Sequence, residues 1–465
     1  MHLVAIGGSD AGISAALRAR ELNPQSDVTV VVADAYPNFS ICGIPYYISG
    51  EVTHWRNLAH RTTADLEATG MNLRLDTTAR RIDPGGRKLL VTGPDGGEEL
   101  LGYDKLIIGT GAVPVIPPIS GLSGPDALSD GDGVHLLHSM SDTFALMRTL
   151  TENSPASAVI VGAGYIGLEM ADALITRGMS VTQMEQLPEV LPTVDPELGA
   201  LVHAELSGHG AEVLTGTTVT RISRAEPGSM GRLTVEATAA SGQGVIRSAD
   251  VVLVVVGVRP DSGLASSAGA ALGVRHAIAV DRQMHTTVPD VFAAGDCVVT
   301  YHRLLGETYL PLGTTAHKQG RVAGENALGG TKEFAGSLGT QVVKIFEHAA
   351  ARTGLRDHEA TAAGFDPVTI GSDADDHKAY YPGSHRIAMR FTGDKQTGRL
   401  LGVQLFGHRH AEVAKRIDIA ATAIFHGMTV DAVSDLDLSY TPPLGSPWDA
   451  VQIGAQAWVR QSGSL

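Results

Sequence analysis

The sequence contains few cysteines, few aromatic residues and no long apolar run. Its 465 residues include only Cys42 and Cys297, which excludes a disulfide framework and indicates a reducing compartment, the cytoplasm. The longest apolar run, residues 251–256, is too short to cross a bilayer. Residues 3–6 are apolar but lack a basic leader, so we expect a first strand and no secretory signal. The net charge of −15 argues against a nucleic-acid or anionic-membrane partner.

Glycine, in contrast, is abundant, with 55 residues. A strand at 3–6, a glycine turn at 7–12, a helix at 13–22 and a strand at 28–33 open the chain, and the same unit returns from 158 to 185. Two such units predict an α/β protein with two parallel, doubly wound dinucleotide-binding domains. After residue 331 the pattern changes to antiparallel strands and a helix, which predicts a separate α+β domain.

The second glycine turn carries the stronger motif, Gly162-x-Gly164-x-x-Gly167 between a strand and a helix. The glycines allow a tight turn, a close approach of backbone to a pyrophosphate, and packing of the helix on the sheet. The helix N-terminus stabilises the phosphate charge. Glu185 ends the next strand, where a carboxylate binds a ribose diol and repels a 2′-phosphate, so NADH is favoured over NADPH.

The first motif is looser, because Ser9 stands between Gly7 and Gly12 where a glycine is usual. Asp34 follows its second strand and is the candidate ligand for the ribose of FAD. Residues 286–296 resemble the segment of two-dinucleotide flavoproteins that brings an aspartate, here Asp296, to the ribityl chain of the flavin. A third FAD-type element is the turn that contains Thr110 and Gly111.

Cys42 lies just after the first unit, in Phe39-Ser-Ile-Cys42-Gly43-Ile-Pro45-Tyr-Tyr. Gly43 and Pro45 predict a turn into a helix start, where the helix dipole favours a thiolate. No second cysteine is close enough in sequence to form a redox dithiol. Cys42 is therefore expected to alternate between a thiolate and a sulfenic acid, a persulfide or a mixed disulfide. Cys297 is expected to be a buried residue with a structural role only.

The cysteine motif, the two glycine motifs and residues 293–297 together resemble the single-cysteine branch of the pyridine nucleotide–disulfide oxidoreductases, nearly end to end. That branch contains coenzyme A disulfide reductases, NADH oxidases, NADH peroxidases and persulfide reductases. The resemblance implies FAD and NADH or NADPH as cofactors. It also implies that Tyr165 gates the nicotinamide pocket and that Glu169, one helical turn further on, lies near the nicotinamide.

Two C-terminal segments, residues 377–383 and 438–443, are similar to the tyrosine-bearing segments of coenzyme A disulfide reductases. The similarity implies that Tyr381 (or its neighbour Tyr380) and Tyr440 act at the cysteine of a partner subunit in a homodimer. Packing in the core or at the dimer interface is the alternative. The resemblance also assigns residues 1–115 and 250–330 to the FAD domain, 116–249 to the NAD(P)H domain and 331–465 to the dimerisation domain.

Three departures from the branch qualify this interpretation. NADH peroxidases and many oxidases carry a histidine in the first glycine turn where this chain has Asp10, so we expect no imidazole there. The loop before Cys42 is shorter than usual. Trp448-Asp449-Ala450 replaces a Lys-Asp-Pro run, which leaves coenzyme A as the carried thiol open. Arg18, Arg20 and Arg61 are candidates for binding its phosphates, with a solvated helix face as the alternative.

The function predicted from these residues is an FAD-dependent NAD(P)H:disulfide oxidoreductase. An oxygen-reducing NADH oxidase and a persulfide or polysulfide reductase remain alternatives. The second of these is disfavoured by the lack of room for a rhodanese domain after the α+β domain. A flavoprotein whose reduction controls the binding of a partner is a third, from a different functional class.

Overall fold

The computed structural model describes residues 1–462. The strands of this part are β1 (His2–Ile6), β2 (Asp27–Val31), β3 (Asn72–Arg74), β4 (Thr78–Asp83), β5 (Lys88–Thr92), β6 (Glu98–Gly102), β7 (Lys105–Ile108), β8 (Ala112–Pro114), β9 (Val134–Leu136), β10 (Ser157–Val161), β11 (Ser180–Met184), β12 (Glu212–Leu214), β13 (Thr217–Arg224), β14 (Leu233–Ala239), β15 (Gly244–Ala249), β16 (Val251–Val254), β17 (Val258–Pro260), β18 (Val291–Ala293), β19 (Thr300–His302), β20 (Gly306–Thr308), β21 (Gln341–Ile345), β22 (His348–Gly354), β23 (Pro367–Asp375), β24 (Arg386–Asp394) and β25 (Leu400–His408). The helices are α1 (Asp10–Leu22), α2 (Ile44–Ser49), α3 (Thr63–Ala68), α4 (Met140–Glu152), α5 (Tyr165–Thr176), α6 (Pro196–Gly208), α7 (Gly263–Ser267), α8 (Gly313–Ala327), α9 (Asp357–Ala362), α10 (Val413–Phe425), α11 (Val430–Ser434) and α12 (Ala450–Ser462).

The first of two compact units comprises residues 1–115, 138–143 and 257–337. Its main sheet has the order β18-β7-β1-β2-β3 and is parallel throughout. Strands β18, β7, β1 and β2 are largely apolar and buried, as expected for a parallel sheet that helices cover, whereas the edge strand β3 is polar and partly exposed. From β1 the chain continues to β2 on one side, while β7 lies on the other. This topological switch is where doubly wound sheets bind ligands.

Helices α1 and α8 pack together in this unit at small residues. A Cβ atom on Gly320 would overlap the carbonyl oxygen of Ala11, and one on Gly324 would overlap that of Ala15. The two backbones therefore touch directly, because neither glycine has a side chain to separate them. This contact brings residues at the start of α8 close to the start of α1.

The second unit comprises residues 116–137, 144–256 and the chain from 338 onward. Its parallel sheet has the order β12-β11-β10-β16-β9. The predicted strand–helix–strand unit is present as β10, α5 and β11. Because β16 pairs with β10, the expected domain boundary at residue 250 is wrong, and the chain leaves this unit after residue 256. Phe334 belongs to a core cluster of the first unit, so that unit ends at 337 instead of 330.

The C-terminal part of the second unit is an antiparallel sheet of order β21-β22-β25-β24-β23. Helix α10 packs on β22 and β25, and α12 packs on β23 and β24. Trp458 of α12 is buried and donates from its indole nitrogen to the Val368 carbonyl oxygen, at 2.7 Å. The predicted fold class, two dinucleotide-binding folds followed by an α+β domain, is confirmed. Within residues 1–462, no helix is both long and apolar enough to cross a membrane.

Candidate active site

The first glycine turn lies at the carboxyl end of β1, at the switch point of the first sheet. Gly7 has a φ of 110°, which a side chain would strain. A Cβ on Gly12 would overlap the Gly7 carbonyl oxygen, and one on Gly7 would overlap the Gly109 carbonyl oxygen. Ser9 is the N-cap of α1. The predicted turn is thus present, with the N-terminus of α1 available for a phosphate.

The other predicted FAD elements belong to the same unit. Thr110 and Gly111 follow β7, and both are hydrogen-bonded to Asp261. The Thr110 hydroxyl donates to the Asp261 carbonyl oxygen, and the Asp261 backbone N–H donates to the Gly111 carbonyl oxygen. Asp34 follows β2, and its carboxylate accepts from the Tyr36 backbone at 2.9 Å. These contacts fix the local backbone, while the binding of FAD by Asp34, Thr110 and Gly111 stays a prediction.

Asp296 follows β18 and lies largely buried at the start of α8. Burial, together with the charge of Asp10, raises the pKa of its carboxyl to about 6, although the Leu312 backbone N–H donates to it and acts the other way. Tyr309, which sequence analysis missed, lies near Asp296: burial and the charge of Asp296 raise the pKa of its phenol. The first unit thus holds a largely buried carboxyl group, that of Asp296, with the phenol of Tyr309 near it.

These features fit a bound FAD. The Tyr309 hydroxyl and the Asn38 side-chain oxygen are buried without a hydrogen-bond partner among the described residues. The Asn38 backbone donates to the Gly8 carbonyl oxygen at 2.6 Å, which places this orphan acceptor beside the glycine turn. Buried polar atoms are normally satisfied, so the Asn38 side-chain oxygen is available to a polar ligand beside the first glycine turn.

Cys42 is exposed, whereas Cys297 is buried. Cys42 lies in a short 3-10 turn, Ile41–Gly43, that runs directly into α2 with Pro45 in its first turn. A Cβ on Gly43 would lie 2.6 Å from Leu58 Cδ2, so a side chain there would have to displace the end of the Leu58 side chain. The predicted turn into a helix start is confirmed. Burial raises the pKa of the Cys297 thiol to about 11, which agrees with its predicted structural role.

Asp10, at the first residue of α1, has two imidazoles beside it. His317 Nε2 lies 3.3 Å from Asp10 Oδ1, and the rings of His317 and His60 meet edge to face with centroids 6.1 Å apart. Two imidazoles from other parts of the chain therefore lie beside the turn that was expected to supply none itself. The glycine turn itself has none, but α8 and the chain after Leu58 supply two. No local sequence pattern links residues so far apart in the chain.

The second glycine turn has the geometry that its motif predicts. Gly162 has a φ of 103°, and a Cβ on Gly167 would overlap the Gly162 carbonyl oxygen. A Cβ on Gly164 would meet nothing within 4 Å, so open space lies where a pyrophosphate would approach. Glu185 is buried and accepts from the Ala163 backbone at 2.7 Å and the Leu187 backbone at 2.9 Å. It holds the turn, and its binding of a ribose stays a prediction.

Tyr165 and Glu169 share one face of α5, and the charge of Glu169 acts on the Tyr165 phenol, whose pKa is raised chiefly by burial. The Thr193 hydroxyl donates to the Tyr165 hydroxyl at 3.1 Å. Sequence analysis missed Thr193. The position of Tyr165 therefore depends on the segment that carries Thr193.

That segment is held by two arginines from the C-terminal domain of the same unit. Arg352 donates to the Thr193 carbonyl oxygen at 2.7 Å, and Arg356 donates to the Pro192 carbonyl oxygen at 2.7 Å. Glu359 pairs with both guanidinium groups, at 2.8 and 3.0 Å. Burial opposes the ionisation of Glu359, but the two arginines outweigh it and lower the pKa of this carboxyl to about 2.

Tyr381 and Tyr440 are 43% and 45% exposed in the single subunit, and Tyr380 is 74% exposed. They are not core residues of one subunit, which leaves a role in catalysis or in dimer packing. Of the predicted phosphate-binding arginines, Arg18 pairs with Glu325 at 2.6 Å, and Arg20 donates to the Thr69 and Ser26 carbonyl oxygens. Both arginines are thus held by contacts within the first unit.

Comparison with known proteins agrees with this geometry. The model of the pyridine nucleotide-disulphide oxidoreductase family matches residues 1–320, and that of its dimerisation domain matches residues 340–450. The chain is 34% identical over 456 residues to the NAD(P)H sulfur oxidoreductase (CoA-dependent) of Pyrococcus furiosus, covering 98% of both chains. It is 32% identical over 460 residues to an NADH oxidase of Methanocaldococcus jannaschii, again covering 98% of both chains.

Among solved structures, the NAD-dependent persulfide reductase from A. fulgidus is 36% identical, with a TM-score of 0.91 over all of this chain and 84% of that chain. The glycine turns, the orphaned buried acceptors and these matches lead to one conclusion. The chain belongs to the pyridine nucleotide-disulphide oxidoreductase family and is an oxidoreductase that uses FAD and a nicotinamide nucleotide.

Proposed function

We propose that the protein reduces a low-molecular-weight disulfide or related sulfur compound with electrons from NADH, through Cys42 alone. The observation that carries the proposal is the position of Cys42: of the two cysteines, it is the exposed one, at the start of α2 in the unit that contains the FAD motifs. The buried Cys297 is not available as a second thiol. Bound FAD supplies the two electrons per turnover that come from the nicotinamide nucleotide.

The chemistry at Cys42 is thiol–disulfide exchange. Its thiolate attacks one sulfur of the substrate, so that a mixed disulfide forms and one substrate thiolate leaves. Two electrons then break the mixed disulfide, which releases the second thiolate and restores that of Cys42. A phenol can donate a proton or hydrogen bond to a departing thiolate, and we assign this role to Tyr381 and Tyr440 of a partner subunit in a homodimer.

Exposed apolar side chains support the homodimer. Tyr380, Tyr381, Tyr440, Leu444 and Trp448 are all at least 43% exposed and all belong to the dimerisation domain. Exposed large apolar side chains in this domain are what a subunit interface would cover. With only two cysteines in the chain, we place the enzyme in the reducing cytoplasm.

The relatives favour a sulfur substrate but leave its identity to experiment. The P. furiosus relative is named a CoA-dependent sulfur oxidoreductase and has nearly the same length as this chain. The argument from chain length against a persulfide or polysulfide substrate is therefore wrong, because this relative, which is named a sulfur oxidoreductase, has almost the same length as the present chain. We retain CoA disulfide and CoA persulfide as candidate substrates.

Oxygen reduction is a second candidate, favoured by two observations. The M. jannaschii relative is named an NADH oxidase, and two imidazoles lie beside Asp10, although the first glycine turn itself contains no histidine. An imidazole is the usual proton donor or acceptor near neutral pH. In this candidate Cys42 cycles as a sulfenic acid.

The decisive experiment compares Cys42→Ser with the parent enzyme. We expect the variant to retain FAD and to lose NADH-dependent reduction of CoA disulfide and of persulfide, since no thiolate remains to attack sulfur. Mass spectrometry of the purified parent then identifies the group bound to Cys42. Undiminished disulfide turnover in the variant would reject the proposal.

Two comparisons separate the candidates. NADH consumption that needs a disulfide under anaerobic conditions supports the reductase, whereas consumption that needs only oxygen supports the oxidase. Slow turnover with every acceptor, together with partner binding that depends on the redox state, would instead support a regulatory flavoprotein.

A further inference from the structure

Three side chains from distant parts of the chain meet at the start of α1. They are Asp10, the first residue of α1; His60, which follows a short 3-10 turn, Trp55–Leu58; and His317 of α8. One ligand atom from each lies within 4.8 Å of the ligand atoms of the other two. All three belong to the first unit. Two imidazoles and one carboxylate are a ligand set that binds divalent transition metals.

The structure fixes the orientation of His317. Its Nδ1 lies 2.9 Å from the Ser14 hydroxyl of α1, and its Nε2 is thereby directed at Asp10 Oδ1, 3.3 Å away. Metal-ligating histidines commonly have their other ring nitrogen held in this way, which fixes the tautomer and the plane of the ring. The close packing of α1 on α8 at Gly320 and Gly324 keeps Ser14 and Asp10 at this distance from His317.

His60 is held through its backbone. Its N–H donates to the Asn38 carbonyl oxygen at 2.9 Å, beside the bridge between Phe39 and Ala59. The side chain is exposed, so it can rotate toward the other two ligands. The orientations of Asp10 and His317 are thus fixed by the structure, and only the side chain of His60 has to rotate to complete the ligand set.

The distances suit a tetrahedral ion. Zinc bonds of about 2.0–2.1 Å to nitrogen and oxygen separate two tetrahedral ligands by about 3.4 Å. The 3.3 Å between His317 Nε2 and Asp10 Oδ1 is close to that value. The largest separation, below 4.8 Å, needs a closure of roughly 1.4 Å or less, which a rotation of His60 supplies. Mg²⁺ and Ca²⁺ prefer oxygen ligands and are not expected here.

The electrostatics are also favourable. The Asp10 side chain is only 22% exposed, and both histidines lie beside it. Asp296 adds a second carboxyl nearby. A cation at this point would compensate negative charge that is partly removed from water.

We propose that Asp10, His60 and His317 bind one divalent transition metal ion, for which Zn²⁺ is the probe, with a fourth position open to water. Three protein ligands with a fourth position open to water are the ligand pattern of catalytic zinc sites. The proposal does not depend on the identity of the sulfur substrate.

The test is a calorimetric titration of the untagged, FAD-loaded enzyme with ZnCl₂ after removal of metals by a chelator. We expect one ion per chain. His317→Asn, His60→Asn and Asp10→Asn should each weaken binding about tenfold or more. The titration is repeated in Cys42→Ser, which should still bind one ion per chain, because the exposed thiol is not one of the three ligands. The flavin absorbance of each variant verifies that it is folded and loaded.

His285→Asn is the matched control. His285 pairs with Asp281 at 3.1 Å and is as exposed as His317, at 43%, but within residues 1–462 no second imidazole forms a metal-binding group with this pair. Its replacement should leave the affinity unchanged. The proposal would be overturned if Zn²⁺ did not bind stoichiometrically, or if it bound equally well to FAD-loaded His317→Asn and His60→Asn.

Discussion

The two cysteines carry the same thiol group but differ in their exposure to solvent. Cys42 is open to solvent, whereas the Cys297 sulfur is enclosed and lies 3.4 Å from the Ala294 carbonyl oxygen. Because alkylation needs an accessible thiolate, we expect iodoacetamide at pH 7.5 to modify Cys42 alone in the folded enzyme. Mass spectrometry of digests measures this. In denaturant both residues should react, and modification of Cys297 in the folded enzyme would contradict the assigned burial.

The glycines of the second turn offer a pair of substitutions with opposite outcomes. Gly167→Ala should destabilise the fold by about 1–3 kcal/mol, because its Cβ would overlap the Gly162 carbonyl oxygen. Gly164→Ala should leave the stability nearly unchanged, since its Cβ meets open space. Its methyl group would instead occupy the space for the pyrophosphate and raise KM for NADH about tenfold.

Thermal unfolding and steady-state kinetics distinguish the two variants. An unchanged KM for NADH in a stable Gly164→Ala enzyme would show that the dinucleotide does not approach this turn.

At this scale the sequence predicted those residues whose role is set by neighbours in the chain. Gly162, Gly164 and Gly167 form one continuous turn, so their spacing alone specifies the backbone. His60 and His317 could not be found in this way, because their meeting at Asp10 depends on the packing of α8 on α1. Thr193 was missed for the same reason, since its partner Tyr165 is on another element.

At the scale of elements, α9 and β22 hold the segment before α6 through Arg352, Arg356 and Glu359. We expect Glu359→Gln to lower the free energy of unfolding by about 1–3 kcal/mol at pH 7, because two arginines lose their shared charge partner. The pKa of Glu359 lies at about 2, below its ordinary value of 4.5. Its contribution is therefore complete above pH 4.5 and is lost as the pH falls through 2.

Chemical denaturation at a series of pH values measures this contribution. The difference between Glu359→Gln and the parent should be constant from pH 8 to about 5 and should narrow below that. Glu333→Gln is the control, because Glu333 forms an ion pair with Arg282 that is half exposed and should contribute less than about 1 kcal/mol. Equal effects of the two variants would refute the special role of Glu359.

The same segment contacts Tyr165 through the Thr193 hydroxyl. Thr193→Val keeps the shape of the side chain but removes the hydroxyl that donates to Tyr165. If Tyr165 gates the nicotinamide pocket, this variant should change KM for NADH several-fold and leave the melting temperature within a few degrees. An unchanged KM would indicate that Tyr165 is held by packing alone.

Most elements of the fold follow from the sequence, and the errors have a common cause. Strands and helices with a clear period were predicted to within a few residues; α1 begins at Asp10, three residues before the predicted start, because the glycine turn is shorter than its motif. The boundary at 250 failed because β16 is as apolar as the strands of either sheet. Only its pairing with β10 assigns it to the second unit.

At the scale of the whole molecule, the proposed homodimer predicts complementation between inactive subunits. Cys42→Ser and Tyr440→Phe chains, co-expressed with different tags, should form mixed dimers in which one of the two sites is intact. If each site takes its cysteine from one subunit and its tyrosine from the other, the purified mixed dimer should recover about half of the parent activity. No recovery would place both residues of one site in the same subunit, whereas full activity of the Tyr440→Phe homodimer would exclude Tyr440 from catalysis.

Because α1 and α8 are in direct backbone contact, the first glycine turn and His317 cannot move independently of one another. Alanine at position 320 or 324 would have to push one helix away from the other, and no flexible side chain at the contact can absorb that movement. The displaced helix would carry Asp10 and His317 apart and would widen the first glycine turn, where we expect FAD to bind. A substitution of Gly320 or Gly324 should therefore weaken both the retention of FAD and the affinity for zinc, although Asp10, His60 and His317 are all still present.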